Sequence, residues 1–281
     1  MLKNLARKIL FRDSSRRLLG SRHLQPIWES MHKLSLYGMN YGGNVVECSG
    51  EFWVLEWLRR RHVASQTERP ALILDVGAHD GSYSLEASKV FGGKAQIHSF
   101  EPSEAVYKTL RRATANYPNI AVHHCGMSNR ESTARLYYNA VGSQMASIHA
   151  GAHIEGADLA TGAFMSEEIR LRTIDEFCEE QGISRVDMLK IDVEGNELNV
   201  LRGSNRMIEA GAIGAIQFEF GEAQIGSGTF FKHIYQFLSP RYRIHRILRS
   251  GLSRPFETYD VILEVYRTTN YLAVLRDGPS K

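Results

Sequence analysis

The stretch Ile73–Ser84, ILDVGAHDGSYS, constrains the fold more than any other part of the chain. A short apolar run, Ala71 to Leu74, ends in Asp75. Gly77 and Gly81 follow, and Ser82-Tyr83-Ser84 opens a segment of helical spacing. A strand, a tight glycine turn and a helix in that order aim backbone N–H groups and a helix N-terminus at one spot. α/β proteins hold nucleotide-like ligands this way, at the carboxyl end of a first strand. The turn departs from the dinucleotide pattern G-x-G-x-x-G, and taken alone it also fits a βα turn that binds nothing.

The text after this turn alternates. Strands are expected at Ala71–Asp75, Ala95–Phe100, Ile120–Cys125, Val186–Ile191 and Ala212–Phe218. Helices are expected at Ser82–Phe91, from Ser103, from the capping box Thr173-Ile174-Asp175-Glu176, from Asn196 to about Ala210 with an interruption at Gly203, and from Thr229. Arg135–Tyr138 reads as a short added strand, and Asn139–Met165 as a long loop. Tyr242–Ile247 and Tyr271–Leu275 are two closing β runs. Such alternation means a doubly wound, mainly parallel α/β sheet covered on both faces. Residues 1–64 read as a basic helical extension packing on the core, and 65–281 as the α/β domain.

Composition narrows the partners. A formal net charge of +3 on 281 residues is too small to indicate nucleic acid. Cys48, Cys125 and Cys178 are scattered, which suits a reducing cytosol and offers no disulfide or zinc pattern. No apolar run reaches the length of a membrane span, and no signal peptide is expected because the N-terminus lacks an apolar core. Residues 1–23 carry seven basic side chains, from Lys3 to Arg22, against Asp13. With Leu2, Leu5 and Ile9 at helical spacing they read as a terminal helix docked on its own domain or as peripheral contact with an anionic membrane.

Ligands of a doubly wound sheet sit outside the carboxyl ends of its strands. Those ends are Asp75, Glu101, Cys125-Gly126-Met127, Asp192 and Glu219, so four of the five carry a carboxylate. Glu101 lies where an acid takes both ribose hydroxyls of a nucleotide. NAD and S-adenosylmethionine both fit so far. An acid at Asp75 would repel a pyrophosphate but suits the cationic amino-acid end of adenosylmethionine, and His79 stands where a dinucleotide turn has its second glycine. Adenosylmethionine is the expected cofactor.

The chain resembles the FkbM family of methyltransferases. The resemblance rests on DVGAHDGSYS at 75–84, FEP at 100–102, TIDEF at 173–177, KIDVEG at 190–195, VLRG at 200–203, QFEFG at 217–221 and RTTNYLAV at 267–274, and it spans roughly Gly38 to Arg276. One departure is His79, where the family usually has Asn. The resemblance implies a seven-stranded Rossmann-like sheet with a final antiparallel hairpin, and methyl transfer to a hydroxyl of a small molecule or sugar unit. It implies that Asp75, Gly77 and Gly81 hold the methionine part of the cofactor. Glu101 is then the ribose ligand, Gly126 and Met127 flank the adenine, Asp192 faces the methyl group, and Glu51 closes over the cofactor.

An alcohol needs a general base before it attacks. Asp192 is the first candidate and His233 the second, with Glu194 and Glu219 behind them; no metal is expected, since no ligand cluster has tight spacing. Glu194 also reads as a helix-capping residue, and Lys190 as the neutraliser of a neighbouring acid. The rival readings are an NAD-dependent oxidoreductase and a non-catalytic scaffold. The acceptor itself and the oligomeric state are not legible.

Overall fold

The computed structural model describes residues 20–42, 49–140, 142–143, 146–149 and 165–276. The basic segment 1–19, and with it most of the expected terminal helix, lies outside the described residues. The chain divides into two compact units, residues 1–42 and 43–281. The described part of the first unit is a short 3-10 turn, Arg22–Leu24, followed by α1, Gln25–Gly38.

The second unit begins with α2, Glu51–Ala64. Its Val54, Leu55 and Leu58 share a core cluster with Ile73 and Ile97, which is why this helix belongs to the α/β unit. β1, Leu72–Val76, is buried along its whole length, as an apolar run in a parallel sheet must be. There follow α3, Ser82–Val90; β2, Gln96–Phe100; α4, Glu104–Ala113; and β3, Ile120–His123. The chain then makes β4, Gly126–Met127, β5, Ser132–Tyr138, and β6, Met165–Arg172. α5, Ile174–Glu180, has Thr173 as its cap, the Thr173 hydroxyl accepting the Glu176 N–H. β7, Met188–Ile191, leads to α6, Glu197–Arg202, and α7, Asn205–Glu209, which break apart at Gly203 as expected. β8, Ala215–Phe220, α8, Ala223–Ser227, α9, Phe231–Leu238, β9, Tyr242–Leu248, β10, Gly251–Leu252, and β11, Thr269–Leu275, complete the order.

The main sheet has the order β10-β9-β11-β8-β7-β1-β2-β3. β1, β2, β3, β7 and β8 are mutually parallel, and β11 runs antiparallel between β8 and β9. Two-residue β10 extends one edge, so among the described residues the sheet has eight strands, one more than expected. Side chains alternate between the faces. Leu72, Leu74 and Val76 enter one core with α5, α6 and α9, while Ile73 enters the other with α2 and α3.

A second sheet, β4-β6-β5, was only partly foreseen. β6 begins at Met165, where the segment read as loop ends, in a stretch for which no strand was expected. Past Met165, its sequence, SEEIRLR, is polar but for Ile169 and Leu171, two positions apart, and those two are the buried ones. With Leu136 of β5 they form a small apolar cluster of their own.

Candidate active site

The strand order reverses between β1 and β7, because the chain runs outward through β2 and β3 before returning to β7. Crevices at such a switch point are where open sheets bind ligands. Here the two loops press together. Gly77 has φ +80°, and a Cβ on it would lie 1.8 Å from the Asp192 carbonyl oxygen. The Asp192 N–H donates to the Val76 carbonyl (3.0 Å), and the N–H groups of Gly77 and Ala78 both donate to the Phe100 carbonyl (3.1 and 3.0 Å). Glycine at 77 is therefore required twice, by conformation and by the approach of a neighbouring backbone.

A cavity of ≈ 740 Å³ opens over these loops. Its lining combines a polar set, Gly77, His79, Glu101, Asp192 and Glu194, with an apolar shelf of Val106, Met127, Leu136, Ile148, Ile169 and Leu171. Gly126 lies on this shelf, where a Cβ would meet the Leu171 side chain at 2.8 Å. The second sheet thus supplies a wall of the cavity.

Glu101 is held by backbone. Its carboxylate accepts the N–H of Ser103 (2.8 Å) and of His79 (3.1 Å), one on each oxygen. Burial pushes its pKa up to about 7, against those two hydrogen bonds. Each oxygen keeps a second lone pair for a ligand diol. His79 has φ +47°, and its Nε2 lies 3.3 Å from the Gly142 carbonyl. Its left-handed backbone is a conformation Asn tolerates well among non-glycine residues. The turn therefore survives the substitution, and the imidazole reaches across to the loop of residues 142–143.

Asp75, Gly81, Glu51 and Glu219 are not among the residues that line this cavity. Strand alternation is the reason for Asp75. Val76 faces the cavity, so Asp75 points to the opposite face, wholly buried, where it accepts the Ser84 hydroxyl (2.6 Å). Asp75, Lys190 and Gln217 are register partners on adjacent strands, and with Ser99 beside Asp75 they form a polar row across the sheet. Lys190 Nζ lies 3.6 Å from Asp75 and 3.1 Å from Asp192. Glu51 covers the row from the N-terminus of α2, accepting from Gln217 Nε2 (2.8 Å) and the Ser49 hydroxyl (3.2 Å). Asp75 Oδ1, Gln217 Oε1 and the Tyr83 hydroxyl are buried in this region without a hydrogen-bond partner among the described residues. Gly81, at φ +89°, starts α3 and lets it approach Leu110 of α4, to which a Cβ would come within 2.7 Å.

At the rim, one carboxylate oxygen each from Asp192, Glu194 and Glu219 lie within 4.8 Å of one another. Oxygen sets of this kind suit hard divalent cations and equally an organic cation. Crowding has a visible electrostatic effect. Burial, then the charges of Asp192 and Glu197, push the Glu194 pKa up to about 8. Burial, then Asp192, Glu194 and Glu197, raise that of Glu219 well above the ordinary carboxylate range. Glu194 also has φ +49°, a conformation costly for a side chain of its size and typical of functional sites.

The expected second base, His233, is not brought to this rim. It is exposed on the first turn of α9, where its Nδ1 accepts the Phe230 N–H at 3.3 Å. It caps a helix, as a polar side chain at that position does.

Sequence reasoning missed Glu197. It is wholly buried, and its carboxylate accepts the N–H groups of Val193 and Gly195 (both 3.1 Å) and the Gln224 amide (2.6 Å). Burial raises its pKa to about 7. It thereby sets the loop that carries Asp192 and Glu194. The available signal was an acid two residues past Glu194-Gly195, in the first turn of a helix, where acids are common for dipole reasons alone. Asn196 was also missed; it lines the cavity and donates to the Met127 carbonyl (3.1 Å), joining the apolar shelf to the same loop.

The sheet order, the glycine turn at the switch point and the acidic rim define a Rossmann-like fold of the methyltransferase type. The family model described as the methyltransferase FkbM domain matches residues 75–246. The chain belongs to that family. It is 29% identical over 154 residues to methyltransferase sdnD of Sordaria araneosa, a match covering 47% of this chain and 59% of that protein. It is 27% identical over 154 residues to 31-O-demethyl-FK506 methyltransferase FkbM of Streptomyces tacrolimicus, covering 47% and 58%. The matches thus span under two thirds of these relatives' own lengths. Among solved structures, Aeropyrum pernix fibrillarin with natively bound S-adenosyl-L-methionine aligns with a TM-score of 0.39 at 13% identity, covering 73% of this chain and 67% of that one. Among the described residues no helix is long and apolar enough to cross a membrane.

Proposed function

We propose that the protein transfers a methyl group from S-adenosylmethionine to a hydroxyl of a small molecule or sugar unit. The observation that carries this reading is one cavity lined by the backbone-held carboxylate of Glu101, the Gly77 turn, Asp192 and Glu194, the last two gathered with Glu219 into a three-carboxylate cluster. The donor set matches the group. Glu101 offers two acceptors to a cis-diol, the shelf beside Met127 takes a flat ring, and the rim favours the positive charge of a sulfonium and an ammonium. A pyrophosphate brought to the same rim would be repelled, which disfavours a nicotinamide dinucleotide. The name of the Streptomyces relative, that of an enzyme acting on an O-demethyl compound, supports oxygen as the acceptor atom.

Bound adenosylmethionine would supply an electrophilic methyl carbon with a good leaving group. The work left to the protein is alignment and removal of one proton. Lys190 is ion-paired with Asp192, and burial and crowding favour proton uptake at Glu194, whose pKa rises to about 8, and at Glu219. Glu194 lines the cavity and is our choice for the base; Asp192 and Glu219 complete the rim and favour the cationic donor. His233 has no part in it.

Thermal stabilisation of the purified protein tests the cofactor, since a ligand that binds only the native state raises the melting point. A rise with adenosylhomocysteine and none with NAD is the expected result. The reverse would overturn the assignment.

A further inference from the structure

α1 presents to solvent a side that a globular protein ordinarily buries. Ile27, Met31 and Leu34 follow one another at helical spacing and are 55%, 54% and 72% exposed, and Trp28 on the flank of the stripe is 38% exposed. Leu36, on the opposite side of the helix, is the residue that is buried. At about 100° per residue, Glu29, the acid of this helix, also falls on the side away from the stripe. An apolar stripe left outside in this way marks a contact surface more often than an accident of composition.

Charge identifies what it contacts. Residues 1–23, which lead directly into α1, carry seven basic side chains and one acid. Of these, Arg22 is among the described residues and is exposed; the segment before residue 20 enters by its charge alone. A basic run beside an apolar helical stripe carrying Trp, with the acid on the far side, is the pattern of a helix lying in a membrane interface. We propose that α1 rests on an anionic lipid surface, Ile27, Met31 and Leu34 entering the acyl boundary while the basic segment meets the headgroups. Apolar insertion and headgroup attraction are each weak, and stable attachment takes two such signals. This inference does not depend on the methyl-transfer reading.

The test is co-sedimentation of the full-length chain with vesicles of phosphatidylcholine containing about 30% phosphatidylserine, beside vesicles of phosphatidylcholine alone. The expected result is binding to the first that falls at least tenfold on the second. It should also fall when ionic strength rises from about 0.1 M to about 1 M, where the Debye length shrinks from about 10 Å to about 3 Å. The variant I27S/M31S/L34S should lose at least tenfold in vesicle binding while its circular dichroism and its melting point in solution match those of the parent. Equal binding of parent and variant, equal binding to both vesicle types, or no binding by the parent would each overturn the proposal. So would a parent that sediments as a dimer in solution and becomes a monomer in the triple variant, because the stripe would then be the interface between two copies.

Discussion

Lys190 and Asp75 are register partners on β7 and β1, and their side chains meet at 3.6 Å in space sealed from solvent. Lys190 is also 3.1 Å from Asp192 at the rim. One ammonium therefore ties the buried polar row to the candidate active site. Removing one partner of a buried pair leaves the other uncompensated. Lys190→Met should lower the unfolding free energy by about 3–5 kcal/mol, measured by urea titration. A variant as stable as the parent would mean that the row is neutral in the native state.

Gly77→Ala should abolish cofactor binding more thoroughly than any side-chain deletion in the cavity. The added Cβ would collide with the Asp192 backbone at 1.8 Å, so β1 and β7 loops must separate. Misplacement of about 1 Å at a reacting centre costs about 100-fold in rate. Calorimetric titration with adenosylhomocysteine, with melting temperature as the control on folding, checks this.

Glu101→Gln replaces one carboxylate oxygen by an amide nitrogen that opposes a backbone N–H. A charge-assisted hydrogen bond is worth about 1.5–3 kcal/mol, so cofactor affinity should fall by about 10–100-fold. An analogue lacking the ribose 2′-hydroxyl should bind the parent less well and discriminate little in the variant. Equal discrimination by both proteins would remove Glu101 from the ribose site.

Glu197 acts through the loop it holds. Glu197→Ala strips the acceptor from the Val193 and Gly195 N–H groups and should lower kcat more than it raises the KM for the cofactor. Glu197→Gln keeps one acceptor oxygen and should recover part of the loss. Unsatisfied buried donors cost about 1–3 kcal/mol each, so both variants should also melt lower.

The pH dependence follows from the raised carboxylates. Glu101 and Glu197 titrate at about 7 and Glu194 at about 8 in the folded chain, against an ordinary value of 4.5. Between these limits the native state holds more protons than the unfolded state. Stability is therefore fullest below the ordinary value and is lost as pH rises to about 8. Urea titrations at about pH 5 and about pH 9 should show the decline. A cation at the rim opposes proton uptake, so affinity for adenosylmethionine should rise over the same window, more steeply than that for adenosylhomocysteine, which lacks the sulfonium charge. Parallel curves for the two ligands would place the sulfonium away from Glu194 and Glu219.

Much of this was legible in the chain itself. The apolar run into Asp75, the glycine pair and the alternation of strand and helical periods determined a doubly wound sheet, because side-chain period and turn stereochemistry are local properties. The same text located the acids at the strand ends, and Glu101, Asp192 and Glu219 do lie at those ends. What it did not contain was the direction of each side chain relative to the cavity. Asp75 and Val76 are adjacent letters, yet one is buried in the polar row and the other lines the site. That follows from strand phase and from which face the cavity occupies. His233 had the right chemistry and the wrong address, since an α9 residue reaches the rim only if its helix turns that way. Glu197 looked like an ordinary acid in a first helical turn, until the fold sealed it beneath the Val193–Gly195 loop. The β6 wall was hidden for a related reason: two apolar residues in a polar segment specify a strand only when a partner strand and a cavity already stand beside them. Periodicity thus determined the elements and their order. Burial, register and the pinch between Gly77 and Asp192 exist only once distant segments have packed together, and it was these that decided which residues form the site.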